Sequence, residues 1–178
     1  MTIEHIDVLD EILASHRVEL GNDFTAYRNH AYRVANLCLK GAWHDGETVE
    51  KVGIAAALHD MGIWTDGTFD YLQPSIRLAA DHLSRAGRAP WTDEISAMIR
   101  EHHKITPWRR HADWLVEPFR RADWTDVTWG AFTLGETRKY VRSLYATWPD
   151  AGFHALLVRL ELRHLRQHPL NPLPVLRW

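Results

Sequence analysis

Apolar residues recur at three- and four-residue spacing along almost the whole chain, and no stretch alternates apolar and polar as a half-buried strand would. Ile3, Ile6, Leu9 and Leu13 open the pattern, Val18 or Leu20 continues it, and Gly21-Asn22-Asp23 ends that helix. The spacing predicts further helices over about 24–42, 47–61, 74–86, 92–104, 112–125, 135–148 and 152–167. The 47–61 segment is apolar nearly all round (Val52, Ile54, Ala55, Ala56, Ala57, Leu58), so it is the expected central, buried helix, with Gly62 as its stop. Residues 62–73 read as a loop, and Pro74 suits the first turn of the helix that follows. The expectation is one all-α helical bundle over residues 1–167. The tail 168–178 holds three prolines, cannot be helical, and is expected to pack back on the domain.

A chain of 178 residues with 46% hydrophobic and 25% charged residues is long enough to bury a core without staples. A formal net charge of -2 excludes a globally basic nucleic-acid binder, so nucleic acid is not the expected partner. The single cysteine, Cys38, excludes an intramolecular disulfide and a thiolate-rich zinc finger. The N-terminus carries no basic and apolar leader pattern, and the longest apolar stretch, Gly53 to Leu58, is far short of the ~20 residues that cross a bilayer. A cytoplasmic protein with no membrane partner is expected; oligomeric state is not legible. The abnormal counts are 12 His and 9 Trp. So many imidazoles in a nearly neutral, cysteine-poor chain point to histidine chemistry.

His59-Asp60 sits at the end of the most hydrophobic helix, where an ionised carboxylate is costly unless paired or metal-bound. His30 lies among Tyr27, Ala31 and Val34, and Asp123 falls in Phe119-Arg120-Arg121-Ala122-Asp123-Trp124. Two imidazoles and two carboxylates on otherwise apolar helix faces form a mixed N/O set suited to a divalent first-row ion. Downstream, His102-His103-Lys104 followed by Trp108-Arg109-Arg110 makes a basic stretch that could contact phosphate, with His102 as a general acid. Arg33 stands one turn after His30 and would lie beside the site. Asp66 and Asp70 on the loop could supply a base to an attacking water, although loop aspartates are commonly turn residues. Trp43, Trp91, Trp114 and Trp148 read as core, whereas Trp64, Trp108, Trp124 and Trp129 fall near the ligand segments and could wall a planar substrate.

The segments Tyr27-Arg28-Asn29-His30-Ala31-Tyr32-Arg33-Val34, Ala55-Ala56-Ala57-Leu58-His59-Asp60-Met61-Gly62 and Arg121-Ala122-Asp123 resemble the HD-domain superfamily of metal-dependent phosphohydrolases, over about residues 25–126. The resemblance implies an all-α bundle in which His30, His59, Asp60 and Asp123 ligate a divalent transition metal such as Mn, Co or Fe. It implies hydrolysis of a small phosphorylated molecule by a metal-activated water; on the reading of the residues themselves, Asp66 and His102 would act in catalysis and Arg33, His103, Lys104 and Arg109 on the substrate. Dinuclear members add two histidines. Ile99-Arg100-Glu101-His102 supplies one, but Gln73-Pro74-Ser75 stands where the other would be, and His82 lies two helical turns, ~10 Å of rise, too far along. One ion per chain is therefore expected. The alternatives are a diiron oxygenase of the same superfamily and a catalytically silent nucleotide-binding module.

Overall fold

The computed structural model describes residues 2–40, 45–132 and 137–168. Among them the structure is helical with no β-strand: α1 (Asp7–Ser15), α2 (Arg17–Leu20), α3 (Phe24–Cys38), α4 (Gly46–Leu58), α5 (Gly62–Thr65), α6 (Leu72–Arg85), α7 (Thr92–Glu101), α8 (Val116–Val127), α9 (Arg138–Thr147) and α10 (Phe153–Gln167). The all-α expectation holds. No helix is long and apolar enough to cross a membrane among the described residues.

α4 runs through the middle, with Val52 to Leu58 all buried, as its all-round apolar sequence requires. Asp45 caps it by accepting from the Thr48 N–H at 2.8 Å. α1 can lie close against α4 because Gly53 has no side chain: a Cβ there would stand 2.8 Å from Ile6 Cγ2 and Val8 Cγ1. α3 packs on α4 from one side and on α8 from the other, so His30, the end of α4 and Asp123 face one another across three helices.

Several boundaries differ from the periodicity reading. The first helix breaks at His16, whose φ of -105° and ψ of 19° leave the helical region, and a second short turn then buries Leu20 while Val18 stays 91% exposed. Gly62 does not end the structure after α4 but opens the short α5 inside the expected loop. Its N–H donates to Ser75 Oγ at 3.0 Å, and a Cβ at Gly62 would lie 2.6 Å from the Tyr71 carbonyl oxygen and 2.7 Å from Pro74 Cβ. This contact locks the start of α6 against the His-Asp turn, and one of its members is backbone that cannot swing aside. Gly62→Ala should therefore cost about 1–3 kcal/mol, the range of an overpacked core site, read as a lower urea midpoint at unchanged m. The expected packing of the tail and Trp43 lie outside the described residues.

Candidate metal centre

His30, His59, Asp60 and Asp123 converge, although 93 residues separate the first from the last. His30 Nε2 is 3.0 Å from His59 Nε2, 3.7 Å from Asp60 Oδ2 and 3.5 Å from Asp123 Oδ1. His59 Nε2 is 3.3 Å from Asp60 Oδ2 and 3.8 Å from Asp123 Oδ1. His102 Nε2 joins them, 3.4 Å from Asp60 Oδ1, and His103 Nδ1 is 3.6 Å from Asp123 Oδ2. All but His103 are essentially closed to solvent.

The tautomers follow from the outer contacts. His59 Nδ1 faces the Ala56 carbonyl at 2.9 Å and His102 Nδ1 the Ile99 carbonyl at 2.7 Å; a carbonyl only accepts, so each Nδ1 carries the proton. His30 Nδ1 is 2.7 Å from Asp126 Oδ2, a carboxylate that also takes the Arg33 guanidinium, so it too donates. In the neutral rings, three Nε2 lone pairs then point inward. They meet Asp60 Oδ1 and both Asp123 oxygens, which are buried without a hydrogen-bond partner, as is His102 Nε2 itself. Lone pairs gathered on lone pairs are unstable unless a cation lies among them. First-row ions bind N and O at about 2.0–2.2 Å, which sets neighbouring ligand atoms about 3 to 3.6 Å apart. Of the five spacings among His30, His59, Asp60 and Asp123, 3.0, 3.3 and 3.5 Å fall in that range and 3.7 and 3.8 Å lie just above it. His30, His59 and Asp60 form one group able to hold an ion; Asp60, His102 and His103 form a second that shares Asp60.

The surroundings brace these side chains. Tyr27 donates its hydroxyl hydrogen to the Ala57 carbonyl at 3.0 Å and accepts the Asp60 N–H at 3.2 Å, pinning the turn that carries the His-Asp pair. Phe153 stacks on His30 with ring centroids 4.0 Å apart, and Phe119 meets His59 edge-on at 5.5 Å. The Tyr71 hydroxyl and His103 Nε2 are hydrogen-bonded at 2.7 Å.

Burial disfavours charge throughout, and the opposing partners decide each case. Burial works against an imidazolium at His59, yet the Asp60 and Asp123 carboxylates raise its pKa to about 9. Burial dominates at His30 and at His103, lowering both, and it raises Asp123. At Asp60 the His59 and His102 rings overcome burial and hold the carboxyl well below its ordinary range. In the metal-free protein, a proton on His59 Nε2 thus occupies the gap toward His30. Metal uptake must expel it, so apparent affinity should fall as pH drops below about 9, by up to about tenfold per pH unit. Titration calorimetry in buffers of different ionisation enthalpy should read about one proton released per ion bound at neutral pH. Zero release would overturn the assignment of that proton.

Other expected site residues lie elsewhere. Arg33 is not available to a substrate: its buried guanidinium gives Nε to Asp126 Oδ1 at 2.6 Å, Nη2 to Asp126 Oδ2 at 2.9 Å, and Nη1 to the Trp148 and Pro149 carbonyls at 3.0 and 3.2 Å. Asp66 is on the surface, paired with Arg77 at 2.8 Å and accepting from the Thr65 hydroxyl at 2.9 Å, which removes it from the closed cluster. Arg109 is exposed with no contact to the cluster, and Asp70 is exposed on the loop. His82 lines a separate cavity of about 500 Å³ with His5, Glu11 and Glu50. Ser75, which stands where dinuclear members would carry a histidine, is buried and accepts from the Gly62 N–H. Lys104 is partly exposed, and its carbonyl accepts from Arg120 Nη1 and Trp124 Nε1 at 2.9 and 3.1 Å. Trp64 packs on Tyr27 at 4.7 Å between centroids, and Trp148 stacks on Tyr32 at 4.1 Å.

Asp126, Tyr27, Tyr71 and Phe153 are the site residues that sequence reasoning missed. A signal existed for the first: Asp123 and Asp126, like His30 and Arg33, are three residues apart and share a helix face.

No curated protein and no solved structure matches the chain. The family model for the HD domain matches residues 27–136, a span that contains every residue of the cluster and more than half of the sequence. With that match, the all-helical fold and the converging His-Asp set, the chain belongs to the HD-domain family, whose members are in general metal-dependent hydrolases.

Proposed function

We propose that this protein is a metal-dependent hydrolase of a phosphate ester or anhydride, with nucleotides as the first substrate class to test. The observation that carries the reading is the closed cluster itself, three inward imidazole lone pairs facing carboxylate oxygens that have no other partner. His30, His59, Asp60 and Asp123 would hold the ion, a set that suits Mn²⁺, Co²⁺ and Fe²⁺ alike. When bound, such an ion lowers the pKa of a water and polarises a phosphoryl oxygen. Tyr27 fixes the turn bearing His59 and Asp60, while Phe153 and Phe119 exclude water behind the two imidazoles. His103, whose side chain is 16% exposed, and the partly exposed Lys104 are the cationic or donor groups nearest the open edge, and we assign them to the phosphate.

A second reading has its own support: the unpartnered His102 Nε2 and Asp60 Oδ1 make His102, with His103, a ligand of a second ion rather than a proton donor. One ion remains our first reading, because Gln73-Pro74-Ser75 brings no imidazole to the remaining corner and Ser75 Oγ is already engaged by the Gly62 N–H. Elemental analysis of protein purified without chelator, joined to phosphate release from a nucleotide panel, decides among these. One ion, with His102→Ala keeping that ion but losing turnover, supports the proton-donor role. Two ions, with His102→Ala dropping the count to one, supports the dinuclear site. Protein that holds no metal and releases no phosphate overturns both.

A further inference from the structure

One buried and fully engaged carboxylate among the described residues takes no part in the proposed chemistry. Asp126 is wholly buried and takes three charge-assisted hydrogen bonds, one from His30 Nδ1 and two from Arg33. Its backbone carbonyl accepts from the Tyr145 hydroxyl at 3.0 Å and lies 3.2 Å from His154 Nε2, which binds Asp150 through its other nitrogen. Arg33 continues the chain to the Trp148 and Pro149 carbonyls, and Asn29 reaches Pro149 as well, at 2.7 Å. Every one of these outer partners, like Phe153 on the face of His30, belongs to α9, α10 or the turn between them, beyond the span that the family model matches.

A buried ion pair of this kind is a poor way to gain stability, since two desolvated charges roughly cancel their own attraction. It is a good way to fix a ring. An imidazole ligates through one nitrogen only if the other holds the proton, and a carboxylate on that other nitrogen both sets the tautomer and raises the basicity of the ligating atom. The Arg33 fork holds the carboxylate in the plane where it can do so, and the stacked Phe153 ring prevents the imidazole from turning.

We propose that Asp126, aligned by Arg33, is a positioning residue for His30: it holds Nδ1 protonated, presents the Nε2 lone pair to the ion, and ties this one ligand to the C-terminal helix pair. The inference rests on the metal-centre reading above. It separates His30 from His59 and His102, whose Nδ1 protons are held by helix carbonyls of their own turns and need no distant partner.

The test is Co²⁺ affinity, by competition with a chromophoric chelator, together with the visible d–d spectrum of the bound ion. Asp126→Asn keeps the size and a hydrogen-bonding oxygen but loses the charge. It is expected to weaken Co²⁺ binding about 10- to 100-fold and to shift the spectrum, with the helical circular dichroism retained. Because Asn would leave Arg33 buried and uncompensated, the double variant Asp126→Asn/Arg33→Met removes both charges together, and the same loss of affinity is expected there. Any folded variant of the two that binds Co²⁺ with wild-type affinity and spectrum overturns the proposal. So does failure of both to fold, which would make the pair a purely structural element. Wild-type protein that takes up no Co²⁺ overturns the metal-centre reading along with this one, whereas equal binding by wild type and variant overturns this one alone.

Discussion

Asp60→Ala should yield a folded protein that retains no metal and turns over at least about 10³-fold more slowly. Asp60 is the one residue shared by both groups able to hold an ion, so its loss removes a ligand whichever count is right. Lewis-acid stabilisation of a phosphoryl transition state is worth several kcal/mol, and about 4 kcal/mol is roughly a thousandfold in rate. The fold should survive, because Oδ1 has no hydrogen-bond partner to lose and the brace from Tyr27 reaches the Asp60 backbone N–H, which alanine keeps. In the metal-free form, loss of the pairing that holds the Asp60 carboxyl below its ordinary range should lower the thermal midpoint. Elemental analysis, phosphate release and a thermal melt check the three parts. Full metal content in the variant would remove Asp60 from the ligand set.

Arg33→Ala should act first on stability, at a cost of about 3–5 kcal/mol, and should weaken metal binding in whatever fraction stays folded, because Asp126 loses its alignment. The loss strips two hydrogen bonds from a carboxylate that has no solvent, and it also frees the Trp148 and Pro149 carbonyls. Native proteins hold only about 5–15 kcal/mol in total, so the variant is expected to be partly unfolded at 37 °C. Urea denaturation reads the effect directly. A change below about 1 kcal/mol would mean that Asp126 finds water or another donor, and that the apparent closure of this region is not its solution state.

The two residues illustrate what sequence alone could and could not say. His59-Asp60 was legible because a local rule is broken there: the most apolar helix ends in two ligand types side by side. His30 and Asp123 were legible for the same reason, as polar residues on apolar faces. Arg33 breaks the same rule, but its partner lies 93 residues away on α8, and nothing near it in the chain decides between a salt bridge and a substrate contact. Asp66 failed in the opposite sense. Its position just after the His-Asp turn suggested proximity, but α5 carries the chain outward so that it meets Arg77. Helix existence followed from the 3.6-residue period, while ends such as His16 and Gly62 were set by tertiary contacts to which the period is blind. Tyr71 and Phe153 carry no local anomaly; an aromatic residue on an apolar helix reads as core whether it packs on leucine or on a ligand imidazole.

Closure of the ligand cluster also has a kinetic side. With His30, His59 and His102 at 0% exposure and Asp60 and Asp123 at 3% and 1%, the ligands are screened from solvent except along the edge at His103, whose side chain is 16% exposed. Exchange with solvent would then be set by how often that edge opens as well as by ligand dissociation. Such a centre should exchange slowly, so that an ion once bound outlasts a brief exposure to a competing one.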